Sequence, residues 1–209
     1  MFTTHLKSLA ALALSMSLAN AAPVSSNCPT TEAKTFKLVA NVTAFDLTPS
    51  IQNHEISLSH YGAGEDYAVL TAPGSGFLFY ANGTTADFAA NTETIVSDQN
   101  AYPYGMIITP GGTATVPSTN AVDVNVGDGT RGVYIDTSTG TPTLAFENGS
   151  FAACPASVLQ RQGDEILLSF RQAGQRTLAG CADVDLVAYC ASGDADGDEF
   201  AVETTCVAR

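Results

Sequence analysis

The sequence contains no tryptophan and few basic residues, with 8 Lys and Arg against 21 Asp and Glu and a formal net charge of -13. Because neutralising phosphates requires Lys and Arg, this balance excludes a general nucleic-acid binder. Charged residues of either sign make up only 14% of the chain, which argues against a long coiled coil. Hydrophobic residues nevertheless reach 45%, enough to build a folded core rather than a disordered acidic tail.

The chain also lacks a hydrophobic run of the roughly 20 residues that a membrane-spanning helix needs. The apolar stretch 9–18 is shorter, follows Lys7, and precedes Ala19-Asn20-Ala21, a small-x-small cleavage signal. This arrangement predicts a secretory signal peptide over residues 1–21 and one mature domain over residues 22–209. We therefore expect a secreted protein of the extracellular space or cell wall, and we do not expect a membrane as a partner.

Three glycosylation sequons agree with export. They begin at Asn41, Asn82 and Asn148, and each has Thr or Ser two residues later. We predict these three asparagines as the glycan acceptors.

Five cysteines are present, at Cys28, Cys154, Cys181, Cys190 and Cys206. None forms the close C-x-x-C spacing of a zinc site. In an oxidising compartment they are expected to pair, with one left over. We favour Cys154 with Cys181, a bond that would contribute about 3.5 kcal/mol in the chain-entropy model, and leave the other pairings open.

Apolar and polar residues alternate along most of the chain, which is typical of half-buried strands. Phe36, Leu38 and Ala40 share one face of such a strand and place Asn41 on the other. Many short strands separated by turn residues predict a single-domain, all-β antiparallel sandwich stabilised by disulfides, with a β-barrel as the alternative. Asn148-Gly149 is a strong signal for a hairpin. Helical turns are expected only near residues 84–90 and 156–162.

The acidic segment near the C-terminus offers oxygen ligands for a hard cation. Asp194, Asp196 and Asp198 alternate as calcium ligands do, but the Gly and Glu of an EF-hand loop are missing from their places. We interpret this segment as a solvated turn, with weak calcium binding as the alternative, and predict no metal or other cofactor.

Catalytic arrangements are weakly represented. Asp136-Thr137 is followed by Ser where the aspartic-protease motif has Gly, and no second copy is present. His54 and His60 lack a nucleophile elbow nearby. Two carboxylate pairs, Asp164 with Glu165 and Asp183 with Asp185, are compatible with glycoside cleavage, but pairs of this kind arise by chance in an acidic chain. Tyr61 and the segment Tyr102-Pro103-Tyr104 could contact sugars, although tyrosines in a β-protein usually pack in strands.

The last third of the chain has the most distinctive pattern. A Leu-x-Phe strand at residues 143–147, the segment 151–156 with Cys154, the step Gly180-Cys181 and a cysteine close to the C-terminus occur in that order. Over residues 131–209 this resembles a family of small secreted fungal proteins that includes phialide-type cell wall proteins and IgE-binding allergen-like proteins. Cys190 and the acidic insert 194–199 depart from that pattern. The resemblance implies a secreted β-protein of the fungal wall and assigns no catalytic residues.

From these observations we predict a secreted, N-glycosylated, non-catalytic protein of the fungal cell wall or extracellular space, with cell-wall polysaccharide as the candidate partner and an unknown oligomeric state. The alternatives are a carbohydrate-binding or carbohydrate-active protein and a secreted effector. The acidic charge favours basic polymers such as deacetylated chitin over acidic ones.

Overall fold

The computed structural model describes residues 28–99, 102–192 and 201–208. The expected signal peptide, residues 1–21, lies outside this part of the chain, and so do the calcium candidates Asp194, Asp196 and Asp198. Within these three segments, no helix combines the length and apolar character needed to cross a membrane.

Strands dominate the described residues, which contain one short helix, α1. In chain order the elements are β1 (Thr30–Ala33), β2 (Phe36–Ala44), β3 (Glu55–Gly62), β4 (Glu65–Thr71), β5 (Phe79–Asn82), α1 (Thr85–Ala90), β6 (Thr94–Gln99), β7 (Tyr102–Ile107), β8 (Asp123–Val126), β9 (Val133–Asp136), β10 (Thr143–Phe146), β11 (Ser150–Pro155), β12 (Ile166–Arg171), β13 (Ala182–Cys190), β14 (Ala201–Val202) and β15 (Thr204–Val207). The all-β prediction is confirmed.

The paired strands form closed circuits. Hydrogen-bonded neighbours run from β2 through β13, β11, β12, β4 and β3 and return to β2. Val122 links two of these strands, because its carbonyl accepts from the N–H of Ala68 and its N–H donates to the carbonyl of Leu168. The closure fits a barrel-like as well as a sandwich arrangement, and the sheet is mixed because β13 pairs with β15 in parallel.

The main core lies on the inward faces of these strands. Phe36, Leu38 and Ala40 of β2 are buried in it, as the alternating pattern predicts, together with Leu186 of β13 and Leu168 of β12. Burying a Leu or Phe side chain stabilises a fold by about 1.5–3 kcal/mol. The long pairing of β2 with β13 therefore joins an early strand to a late strand of the chain through apolar burial as well as backbone hydrogen bonds.

A second, smaller core lies on the outward face of the sheet. It is built around Val69, Leu159 and Leu167 and includes Cys154 and Cys181, which form a disulfide. The structure thus contains the bond favoured from the sequence. A further disulfide joins Cys190 of β13 to Cys206 of β15, and Cys28 is unbonded.

The turn between β10 and β11 differs from the expected hairpin. These two strands do not pair with each other: β10 pairs with β9 and β13, and β11 with β12 and β13. The turn is closed by the N–H of Gly149 donating to the carbonyl of Phe146, and Glu147 rather than Asn148 has positive φ, at 47°. The hairpin prediction was wrong because each strand pairs with its other neighbour in the chain, β10 with β9 and β11 with β12, and both also contact β13.

The short helix α1 has the expected position. Thr84 is its N-cap, and the side chains of Thr84 and Asp87 form a capping box. The other expected helical segment, residues 156–162, is instead a series of turns over residues 156–160.

Candidate functional site

One outward-facing area of the sheet combines an exposed aromatic ring with polar groups. Tyr67 of β4 pairs directly with Ser59 of β3 and with Asp123 of β8. Because Val122 and Val124 point into the core, the alternation of side chains turns Asp123 outward. Ser59 and Tyr67 belong to the same cross-strand row, so they share this outward face.

Tyr61 covers this row from the end of β3. The register of β3 with β4 shifts between His60 and Gly62, and such an irregularity redirects the side chain at the bulge. The ring of Tyr61 stacks on that of Tyr67 with centroids 3.9 Å apart and planes 19° from parallel. Its hydroxyl donates to Oδ1 of Asp123 at 3.3 Å. Asn125, two residues after Asp123 on β8, also hydrogen-bonds the Tyr61 hydroxyl through its side chain. We call Tyr61, Tyr67, Asp123 and Asn125 the tyrosine surface.

The two tyrosines are supported unequally. Tyr67 packs against the second core, which holds its ring in place. Tyr61 is 44% exposed, so the face of its ring away from Tyr67 is open to solvent. A fixed aromatic ring with one open face and hydrogen-bonding groups at its edge is suited to a ligand with one apolar and one polar side.

The electrostatics of the tyrosine surface are acidic. Burial, followed by the nearby carboxylates of Asp123 and Glu65, raises the pKa of Tyr61 to about 12. Burial also raises the pKa of Asp123, against the opposing effects of the Tyr61 hydrogen bond and of Arg161. The phenol is therefore neutral and a hydrogen-bond donor at physiological pH, beside an electronegative rim.

The predicted aromatic surface is divided between two faces. Tyr104 packs against the main core. Tyr102 is 64% exposed, but its position two residues before Tyr104 on β7 puts it on the same side of the strand as Tyr104 and the buried Met106. Tyr102 and Tyr104 therefore do not share the outward face of Tyr61. Asp123 and Asn125, by contrast, were not predicted, because only the pairing of β4 with β8 brings them beside Tyr61.

Two of the suspected carboxylates are bonded to other side chains. Glu165 accepts a hydrogen bond from Oγ of Ser59 at 2.5 Å. Asp183 forms an ion pair with Arg171 at 3.1 Å and accepts from Thr177. Burial raises the pKa of Asp185, which lies opposite Asn41 on β2. In the described residues, Glu165 and Asp183 are thus each engaged by another side chain.

The histidines and the protease-like segment serve local roles. Nδ1 of His60 lies 3.3 Å from Oδ1 of Asp66, and His54 precedes β3, with its Nδ1 buried and unbonded. Asp136 accepts from both the N–H and the hydroxyl of Ser138, which is the turn expected at the end of that strand.

Two carboxyl groups near α1 have pKa values displaced in opposite directions. Hydrogen bonds from the hydroxyl and N–H of Thr84 lower the pKa of Asp87 to about 2, with Thr92 and Arg131 acting in the same sense. Burial raises the pKa of Glu93, which is 5% exposed and whose Oε2 has no partner among the described residues. Since the oxygens of Asp87 are occupied by the helix cap, Thr92 and Arg131, its carboxylate serves the structure.

The three sequon asparagines occupy different environments. Asn41 lies within β2, and its Oδ1 accepts from Nε2 of Gln52 at 3.3 Å. Asn82 ends β5, and Asn148 is exposed in the turn before β11. Among the described residues, no group of three or more His, Cys, Asp and Glu side chains is arranged to hold a metal ion.

These features define a class: a disulfide-bonded, all-β protein with an exposed, electronegative aromatic surface. The chain belongs to the family defined by the domain of unknown function DUF7907, whose sequence profile matches residues 33–190. It is also similar to the antigenic protein SchS34 of Stachybotrys chartarum, with 36% identity over 135 residues, which is 63% of this chain and 59% of that protein. The chain thus spans about three fifths of the length of this relative. No solved structure matches the chain.

The family and its fungal relative agree with the coarser part of the resemblance seen in the sequence, a fungal family of small proteins of unknown function.

Proposed function

We propose that this protein is secreted and N-glycosylated, and that it binds polysaccharide of the fungal cell wall or extracellular space without catalysis, through the tyrosine surface. The observation that carries the proposal is the stack of Tyr61 on Tyr67 with one ring face open. The C–H face of a sugar ring packs on such an aromatic face, while its hydroxyls bond the groups around it.

Export is supported by two independent features. The two disulfides are typical of oxidising compartments. The antigenic name of the Stachybotrys protein is also in keeping with a protein that reaches the outside of the cell.

The absence of catalysis is supported by the arrangement of the carboxylates. Hydrolysis of a glycoside requires two carboxyl groups facing one cleft. In the described residues, the candidates Glu165 and Asp183 are each engaged by another side chain. The tyrosine surface is open, as suits a binding surface on an extended polymer.

The test is retention on insoluble polysaccharides. The purified protein is mixed with β-glucan, chitin and chitosan, and the bound fraction is measured for the wild type, Tyr61→Ala and Tyr102→Ala. Tyr102 is an exposed tyrosine outside the tyrosine surface, so its variant controls for general loss of an aromatic ring. We expect Tyr61→Ala to weaken binding about tenfold, the equivalent of ~1.4 kcal/mol of stacking, and Tyr102→Ala to bind as the wild type does.

The carboxylates of Asp123 and Glu65 beside Tyr61 allow a second comparison in the same test. Protonated amino groups of chitosan are attracted to Asp123 and Glu65, so Asp123→Asn should reduce retention on chitosan more than on β-glucan. Equal retention of all variants on every polymer would contradict the proposed surface.

A further inference from the structure

Asn82 lines a polar cleft of about 270 Å³. The cleft is formed where the end of β5 meets α1, β6 and the loop after β8, and its other lining residues are Gly83, Asp87, Thr92, Thr94, Asp128, Gly129 and Arg131. Hydroxyl, carboxylate and guanidinium groups thus surround the sequon asparagine. These groups are the usual partners of sugar hydroxyls and acetamido groups.

The walls of this cleft are fixed by bonds within the protein. Asp87 forms an ion pair with Arg131 and accepts from the hydroxyl of Thr92 at 3.1 Å. Thr94 lies directly opposite Asn82 in the pairing of β5 with β6, and its hydroxyl donates to the Asn82 carbonyl at 3.4 Å. The cleft is consequently held open beside Asn82 before any ligand enters it.

The Asn82 side chain is free to carry a substituent. Within the described part of the chain, its only hydrogen bonds are through the backbone, so the amide nitrogen Nδ2 is not engaged. Gly83, the residue after Asn82, lies close to two side chains, since a Cβ on Gly83 would be 3.1 Å from the Cβ of Asp87 and 3.2 Å from the Cβ of Glu93. The backbone after Asn82 therefore passes along the wall of the cleft.

The size of the cleft limits what can occupy it. Sites for drug-sized ligands occupy about 300–1,000 Å³, so a space of about 270 Å³ suits one sugar residue. The cleft beside Asn148 is larger, about 610 Å³, and Asn148 is itself exposed in a turn. A sugar on Asn148 is thus less confined than a sugar on Asn82.

We propose that the first N-acetylglucosamine of a glycan on Asn82 is seated in this cleft and forms part of the folded surface. The bond joins Nδ2 to the anomeric carbon of the sugar, a lipid-linked pyrophosphate oligosaccharide supplies the glycan, its pyrophosphate leaves, and one amide proton is lost. The hydroxyls and the acetamido group then bond Thr92, Asp128 and Arg131. The inference rests on the export included in the proposed function.

The test measures how accessible each first sugar is. The protein is produced in a fungal host, and glycopeptide mass spectrometry records which sequons are occupied. The native and the denatured protein are then treated with peptide N-glycosidase, which hydrolyses the bond between Nδ2 and the first sugar and leaves Asp in place of Asn. We expect release from Asn82 in the native protein to be about tenfold slower than release from Asn148, corresponding to one or two hydrogen bonds that must open, and the two rates to be equal after denaturation.

Arg131→Ala opens one wall of the cleft, and Arg176→Ala is its control because Arg176 is an exposed arginine elsewhere. We expect Arg131→Ala alone to accelerate release at Asn82, with the rate at Asn148 unchanged as the sign that the fold is intact. Equal native rates at the two sites, or an unmodified Asn82 beside an occupied Asn148, would overturn this inference and leave export standing. Native protein with no glycan at any sequon would count against the glycosylation included in the proposed function itself.

Discussion

Nζ of Lys37 lies 2.8 Å from Oε2 of Glu55, and the Glu55 side chain is only 3% exposed. The same oxygen accepts from the N–H of Gly76 at 2.9 Å. The pair joins β2 to β3 where these strands share a single register contact. The pair therefore adds a buried side-chain contact to the backbone hydrogen bonds that Ala40 forms with Asn53 and His54 at this junction.

Replacing Lys37 by Ala should destabilise the protein by about 3 kcal/mol, because it leaves the buried carboxylate of Glu55 without its cation. Chemical denaturation measures the change. Lys34→Ala is the matched control, since Lys34 is exposed and its loss should change the free energy of unfolding by less than about 0.5 kcal/mol. Equal effects of the two substitutions would show that the pair does not stabilise this junction.

The disulfides should differ from Cys28 in their effect on stability. Cys154 and Cys181 are 27 residues apart and Cys190 and Cys206 are 16 apart, so the chain-entropy model assigns them about 3.5 and about 3 kcal/mol. Double Ala replacement of either pair should lower the free energy of unfolding by about these amounts. Cys28→Ser should leave it unchanged, and a similar loss from Cys28→Ser would mean that Cys28 takes part in a structural bond.

Glu93 should make stability depend on pH. Because burial raises the pKa of its carboxyl in the folded protein, the folded state holds the proton more tightly than the unfolded state does. Stability is therefore lost as the pH rises from the unfolded pKa of about 4.3 through the folded pKa. Glu93→Gln should raise the melting temperature at pH 7 and change it little near pH 3.5.

The control for Glu93 is Glu147→Gln, because Glu147 is an exposed glutamate. Calorimetry at the two pH values should show no comparable difference for this variant. A Glu93→Gln protein that melts below the wild type at pH 7 would contradict the assignment of an unfavourable buried charge.

Gly149 is required by its contact with an aromatic ring. A Cβ at this position would lie 2.1 Å from Cζ of Phe170, so Gly149→Ala should destabilise the protein by about 1–3 kcal/mol through overpacking. Phe170→Leu removes this contact, whereas the carbonyl oxygen of Arg171, 2.7 Å from the same Cβ, remains. The double variant should therefore lose less stability than the sum of the losses in the two single variants. Strictly additive losses would show that the destabilisation by Gly149→Ala does not come from the Phe170 ring. The single Gly149→Ala variant and the double variant both keep the Asn148 sequon, because its middle residue can be any residue except proline.

The sequence was sufficient for the local structure and insufficient for the long-range pairings. Alternation of Phe36, Leu38 and Ala40 predicts the buried face of β2 because side chains alternate along any strand. The partner of β2 is β13, about 145 residues further along the chain, and nothing local specifies this choice. The incorrect hairpin at Asn148-Gly149 has a different reason: β10 pairs with the preceding strand β9 and β11 with the following strand β12, so the Asn-Gly turn connects two hairpins instead of closing one.

The candidate site was predictable only in part for the same reason. Tyr61 was a candidate from the sequence, but its relation to Asp123 depends on β8 lying beside β4. Tyr102 was grouped with Tyr61 by residue type, whereas the alternation along β7 directs it to the other face. Glu55 and Glu93 are buried carboxyl groups that an acidic sequence of this kind does not distinguish from surface ones.

The most direct test of the central claim is the analysis of native protein from the culture filtrate and wall extract of the source organism. We expect a mature chain that begins at Ala22, contains the bonds Cys154–Cys181 and Cys190–Cys206, carries N-glycans and is retained on wall polysaccharide. A chain that keeps residues 1–21, has all five thiols reduced and passes through the polysaccharide unbound would contradict the account.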